Sequence, residues 1–114
     1  MTVEQQIEGG AVMGASNAIL ESFSYRDGRI ENGSLADYKV ATIQDLPEIV
    51  PIIVESVHDE APFGAKGVGE PAAAATPPAI GNALYDAIGV RIRDLPITPE
   101  KVLKALGDTV EADA

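Results

Sequence analysis

The chain has 114 residues, a formal net charge of −10 and no cysteine. That charge excludes the basic footprint a duplex nucleic-acid or anionic-membrane binder needs. The missing thiols exclude disulfides, cysteine nucleophiles and iron–sulfur ligands.

The first segment, Glu4 to Glu21, reads as a helix. Ile7, Ala11, Gly14, Ala15 and Ala18 fall on one stripe at helical spacing. Gly9, Gly10 and Gly14 each cost a helix interior about 1 kcal/mol against Ala, so its simplest form begins near Gly10 and packs tightly on a neighbour. Asp27-Gly28, between Tyr25-Arg26 and Arg29-Ile30, is a hairpin signal, because a type I′ turn needs positive φ at both central positions. Asn32-Gly33-Ser34 reads as a second turn and Tyr38 to Ala41 as a short strand. Ile49 to Val57 is the strongest strand, apolar on both faces, with Pro51 putting it at an edge or an irregularity.

Thr76-Pro77 reads as an N-cap followed by a first-turn proline. Ile80, Ala83, Leu84, Ala87 and Ile88 form the stripe of this helix, and Gly89 stops it. Val90 to Arg93 alternates like a short strand. Thr98-Pro99 repeats the start signal, with Val102, Leu103 and Leu106 as the buried face and Gly107 as the end. The expected class is α+β, with a few short strands including a hairpin and about three helices. Residues 1–107 form the domain segment, and 108–114 an acidic, frayed tail.

Between the long strand and the second helix lies Pro62-Phe63-Gly64-Ala65-Lys66-Gly67-Val68-Gly69-Glu70-Pro71. Its glycines let backbone approach another group closely, and it leads into a helix-friendly segment starting at Pro71. It lacks the Gly-Lys-Ser/Thr of a phosphate-binding loop, so as a nucleotide motif it is weak. Glu70 has two readings: a solvated loop carboxylate or N-cap, or a rigidly placed base. Lys66, Gln5, Gln6 and His58 read most simply as surface residues. With His58 as its one histidine, the chain supports neither a histidine-rich metal site nor a self-contained Ser-His-Asp triad.

Four blocks occur in order: Gln6-Ile7-Glu8-Gly9-Gly10-Ala11-Val12-Met13-Gly14, Ser34 to Val40, Gly64 to Pro71, and Thr98 to Leu103. Together they resemble the C-terminal part of the molybdopterin-binding subunit of the xanthine dehydrogenase, or molybdenum hydroxylase, family. That family includes aldehyde oxidoreductases, nicotinate hydroxylases and carbon monoxide dehydrogenase large chains. The resemblance covers roughly Glu4 to Leu106. It implies that the fold is a fragment of a larger molybdopterin-binding domain.

By position, the resemblance makes Glu70 the active-site base beside molybdenum. It places Val68 and Gly69 in the loop near the metal's ligand sphere, and Gln6, Gly9 and Gly10 close to the pterin; no residue of this chain ligates the metal. Gln5 stands where family members usually carry Gly. The implied reaction is oxidative hydroxylation of an aldehyde or N-heterocycle with water as oxygen source. A molybdenum-pterin cofactor would be shared with a larger molybdopterin-binding chain, and iron–sulfur clusters and FAD would sit only on partner subunits. Isolated, the chain is expected to be inactive and to carry an apolar surface that associates either with a larger molybdopterin-binding chain or with copies of itself. The alternative is a non-catalytic binding or interaction module that keeps the fold. Residues 1–25 hold no Lys or Arg and no apolar run approaches ~18 residues, so the expected location is cytoplasmic, with no membrane and no nucleic-acid partner.

Overall fold

In the computed structural model, which describes residues 1–112, helix α1 spans Thr2–Ile19 and runs straight through its glycines. It therefore starts well before Gly10, and packing is the reason. A Cβ on Gly10 would lie 3.0 Å from the Ala72 Cβ and 3.2 Å from the Ala73 nitrogen. On Gly14 it would lie 2.7 Å from both the Ala73 carbonyl oxygen and the Thr76 Cβ. Helix α2 thus approaches α1 more closely than any side chain would permit, and this close packing offsets the poor propensity of glycine. Because Gly10 meets Ala72 and Ala73 while Gly14 meets Ala73, Thr76 and Pro77, the two helices run in the same direction where they touch.

Helix α2 spans Pro71–Ile88. It begins one and a half turns earlier than the Thr76-Pro77 signal indicates, with Pro71 in the first turn where a missing N–H costs nothing. Pro77 and Pro78 stand inside the helix. They leave the Ala73 and Ala74 carbonyls without their usual donors. The Thr76 hydroxyl turns back to donate to the Ala72 carbonyl at 2.8 Å. Gly89 ends the helix in the left-handed region (φ 70°), its N–H donating to the Tyr85 carbonyl at 2.8 Å. Ile80, Leu84 and Ile88 are half-buried, but Ala83 and Ala87 are exposed, because the tight packing is made upstream by Ala72, Ala73, Thr76 and Pro77.

Strands β1 (Tyr25–Arg26) and β2 (Arg29–Ile30) pair antiparallel around Asp27 (φ 49°) and Gly28 (φ 75°), the expected hairpin. Asn32 is a brace rather than a turn residue. Its side chain accepts from the Ser24 N–H at 2.9 Å and donates to the Ser22 carbonyl at 2.7 Å. The turn falls one step later, where the Asp37 and Tyr38 amides both donate to the Ser34 carbonyl. The Tyr38 ring then stacks on Phe23 with centroids 4.6 Å apart.

Strands expected at Tyr38–Ala41, Ile49–Val57 and Val90–Arg93 are absent; these stretches carry no ladder partner among the described residues. Buried Ser16 instead holds the first of them, its hydroxyl accepting from the Ala41 N–H at 3.0 Å. The Ile97 N–H donates to the Ala18 carbonyl at 2.7 Å, and both residues are buried. Helix α3 (Pro99–Ala112) follows, with Thr98 Oγ1 accepting from the Lys101 N–H at 3.3 Å. It passes through Gly107 without ending there, and Leu103 is exposed while Val102 and Leu106 are half-buried. Of the expected frayed tail, residues 113 and 114 lie outside the described residues. No helix among the described residues is long and apolar enough to cross a membrane.

The α+β assembly is extended. Its radius of gyration is 18.1 Å, against about 13 Å for a compact chain of this length. Its accessible surface is 8836 Å², against about 5,900 Å² for a compact monomer of this mass.

Candidate functional site

The site is organised by the packing of α1 on α2. Gln6 precedes Gly10 by about one helical turn, and Glu70 precedes Ala72 by two residues. Since the helices run the same way, both lie on the same side of the packed region, at its N-terminal end. Far apart in the chain, they thus flank the same end of the helix pair.

Glu70 occupies the N-cap position of α2 (φ −118°, ψ −10°). Its backbone carbonyl accepts from the Ala74 N–H at 3.1 Å. Its carboxylate does not cap the helix, is exposed, and has no hydrogen-bond or ion-pair partner among the described residues. The unpaired N–H groups of the first turn of α2 favour negative charge at this point. Gly69 is exposed, with nothing within 4 Å of where a Cβ would stand; the same is true of Gly9. Gly10 differs, since its open side is filled by Ala72 and Ala73. Helix packing accounts for Gly10, whereas Gly9 faces open space.

Val68 is half-buried and, with Gly67, lines an open groove of about 980 Å³ together with Val3 and Ile7 of α1. The loop before Glu70 therefore lies across from the N-terminal half of the helix that carries Gln6. Neither Gln6 nor Glu70 lines the groove itself. Lys66 reaches across this loop, its ammonium donating to the Ser56 hydroxyl. A short 3₁₀ turn, Pro62–Gly64, precedes it, with Phe63 in the left-handed region (φ 57°) and fully exposed. His58 is exposed, and its carbonyl accepts from the Ala61 N–H at 3.3 Å, closing a separate turn just before the 3₁₀ turn. No group of three or more His, Asp or Glu side chains among the described residues is placed to hold a metal ion.

Two residues that matter here were not among the candidate site residues, although the cost of Gly14 in a helix already pointed to tight packing. Gly14 sets the distance between α1 and α2, and Ser16 ties Ala41 to α1. The small residues Gly10 and Gly14, one turn apart on α1, meet Ala72, Ala73, Thr76 and Pro77 of α2, whereas Ser16 had no such pattern to mark it.

Residues 1–47 match the model of a molybdopterin cofactor-binding domain. The chain is 38% identical over 101 residues to a probable xanthine dehydrogenase subunit of Bacillus subtilis, covering 89% of this chain and 14% of that relative. It is 37% identical over 112 residues to the aldehyde oxidoreductase molybdenum-binding subunit PaoC of Escherichia coli, covering 96% of this chain and 15% of PaoC. The chain belongs to the molybdenum hydroxylase family. It matches a segment of the family's molybdopterin-binding subunits and spans about one seventh of their length. The fold agrees: quinoline 2-oxidoreductase of Pseudomonas putida 86 superposes with a TM-score of 0.83 at 33% identity, over 93% of this chain and 14% of that one.

Proposed function

We propose that this chain forms one wall of a molybdenum hydroxylase active site and contributes its base, Glu70. The oxidoreductase would hydroxylate an aldehyde or N-heterocycle with oxygen from water. The observation that carries this reading is the shared end of α1 and α2, where an unpartnered carboxylate at the start of one helix accompanies an open glycine surface and Gln6 on the other. Such an end fits a cofactor whose metal is held by its own pterin, since the chain offers open backbone and one carboxylate rather than a ligand cluster.

Gln6, Gly9, Val68 and Gly69 would hold the pterin-bound molybdenum group. The bound group supplies the two-electron oxidation. Gln6 offers an amide donor and acceptor to a heterocycle edge, while Gly9 and Gly69 admit it to backbone distance. Glu70 accepts a proton on a carboxylate oxygen and holds it while the oxidation proceeds. The turn between Gly69 and Pro71 restricts how that carboxylate is aimed. The rest of the cofactor pocket belongs to a larger molybdopterin-binding chain, the iron–sulfur clusters to further subunits, because this chain has no thiolate to bind them, and the flavin to such a subunit as well.

The test is Glu70→Gln in the assembled enzyme. It keeps shape and removes the proton acceptor, so kcat/KM falls about 10²–10⁴-fold while molybdenum content is unchanged. Turnover within about threefold of wild type would show that Glu70 is not the base.

A further inference from the structure

The stretch from Ile49 to Val57 has no helix, turn or bend, and no backbone group in it hydrogen-bonds to any described residue. Its exposure alternates. Ile49 and Pro51 are half-buried and Ile53 is 47% exposed, whereas Val50, Ile52 and Val54 are 71%, 77% and 80% exposed. From Ile49 to Val54 that period of two is the pattern of a strand with one face on its own chain and the other uncovered; it ends there, since Glu55 and Val57 are both exposed, Val57 at 87%. A β-branched segment with unpaired donors and acceptors is a template for strand addition.

We infer that Ile49–Val57 is a docking edge that takes an extended strand from the molybdopterin-binding chain outside these 114 residues. The inference rests on the functional reading above and adds where the two parts join. Three observations choose this occupant. The same backbone, superposing at a TM-score of 0.83, makes up only 14% of a larger chain in a relative, so chain of the right kind is available beyond it. The accessible surface of 8836 Å² exceeds that of a compact monomer by about 2,900 Å², enough to supply one side, about 1,000–2,500 Å², of a permanent interface that buries about 2,000–5,000 Å² in total.

Charge is the third, and it disfavours the simplest competitor, a second copy. Between Lys39 and Lys66 the chain carries Asp45, Glu48, Glu55, Asp59 and Glu60 and no Lys or Arg. Two copies paired here would bring two acidic stretches together, which repel. The incoming strand is accordingly apolar on the face meeting Val50, Ile52 and Val54, and flanked by Lys or Arg. Pro51 donates nothing, so the ladder uses alternate amides from Ile52 onward.

The experiment compares residue-resolved amide exchange in the full chain alone and bound to the molybdopterin-binding chain purified from the same source. Turnover is not read. Alternate amides between Ile52 and Val57 slow at least 100-fold on binding, while those of the Tyr25–Ile30 hairpin do not. The double variant Ile52→Lys, Val54→Lys weakens association at least tenfold with an unchanged circular dichroism spectrum, both side chains being exposed in the free chain. Association with unaltered exchange at 52–57 overturns the inference and leaves the functional reading standing. Protection that appears in the chain alone and grows with its concentration assigns the edge to a second copy and also overturns it. Failure of the two chains to associate overturns the functional reading itself.

Discussion

Replacing Gly14 with Ala separates the two reasons a glycine can stand in α1. The added methyl would meet the Ala73 carbonyl oxygen and the Thr76 Cβ at 2.7 Å and the Pro77 Cδ at 3.2 Å. None of these is the free end of a flexible side chain, so the helices must separate. Overpacking of this kind costs about 1–3 kcal/mol, and the clash with backbone puts it in the upper part of that range. The gain in helix propensity returns about 1 kcal/mol, leaving a net loss of about 1–2 kcal/mol. Gly9→Ala meets nothing within 4 Å and keeps the propensity gain of about 1 kcal/mol. The two variants should therefore differ by about 2–3 kcal/mol, or about 1 M in urea midpoint at a slope of ~2 kcal/mol/M. Urea titration followed by circular dichroism at about 222 nm, where helix absorbs, reads this directly. If Gly14→Ala proved as stable as Gly9→Ala, the close approach of α1 and α2 would be wrong. In the assembled enzyme the order inverts for Gly9: its alanine variant should retain less molybdenum despite the more stable chain, as metal analysis would show.

Ser16→Ala strips the half-buried Ala41 N–H of its acceptor and should cost about 1 kcal/mol, with faster exchange confined to the Ala41 region. The Glu21 carboxylate, accepting from the Tyr38 hydroxyl at 2.6 Å, raises the pKa of Tyr38 above the ordinary tyrosine value. A raised acid is stabilised in its neutral form, so that stability is present below the unfolded pKa and disappears as pH rises through the folded one. Tyr38→Phe should flatten the alkaline limb of a plot of melting temperature against pH. The Lys101 ammonium, 2.7 Å from Asp94, holds that carboxyl below the usual range by hydrogen bond and charge. The contribution is present above the unfolded pKa and fades as pH falls through the folded one. Asp94→Asn should remove part of the acid limb of the same plot, more visibly at low salt than at high salt.

Features set by neighbouring residues were legible in the sequence. Asp27-Gly28 dictates its hairpin, Gly89 its helix stop and Thr98-Pro99 its helix start, because each depends on φ or on one capping bond. Two stretches misled for a shared physical reason. Ile49–Val57 reads as a strand because its side chains suit a covered surface, yet nothing within the described residues pairs with it. Thr76-Pro77 reads as a start because proline is costly inside a helix, but α2 is buttressed along that stretch by α1. The pairing of Gln6 with Glu70 was out of reach of spacing, since it arises from the packing of Gly10 on Ala72; only the four ordered sequence blocks pointed to both residues. Expectations for Gly9 and Gly10 were the same, and three-dimensional packing divides them.

The proline pair inside α2 has a further consequence for Glu70. Pro77 and Pro78 interrupt the backbone ladder, so the stretch Pro71–Thr76 is tied to the remainder of its helix by few bonds. So short a stretch cannot hold a helical turn by itself. The platform bearing the carboxylate therefore borrows its rigidity from α1, through the seat that Gly10 and Gly14 provide. Loosening α1 anywhere near that seat would unfasten the platform while the distal half of α2 stayed helical. The two flanks of the site thus behave as a single mechanical unit that is either whole or missing.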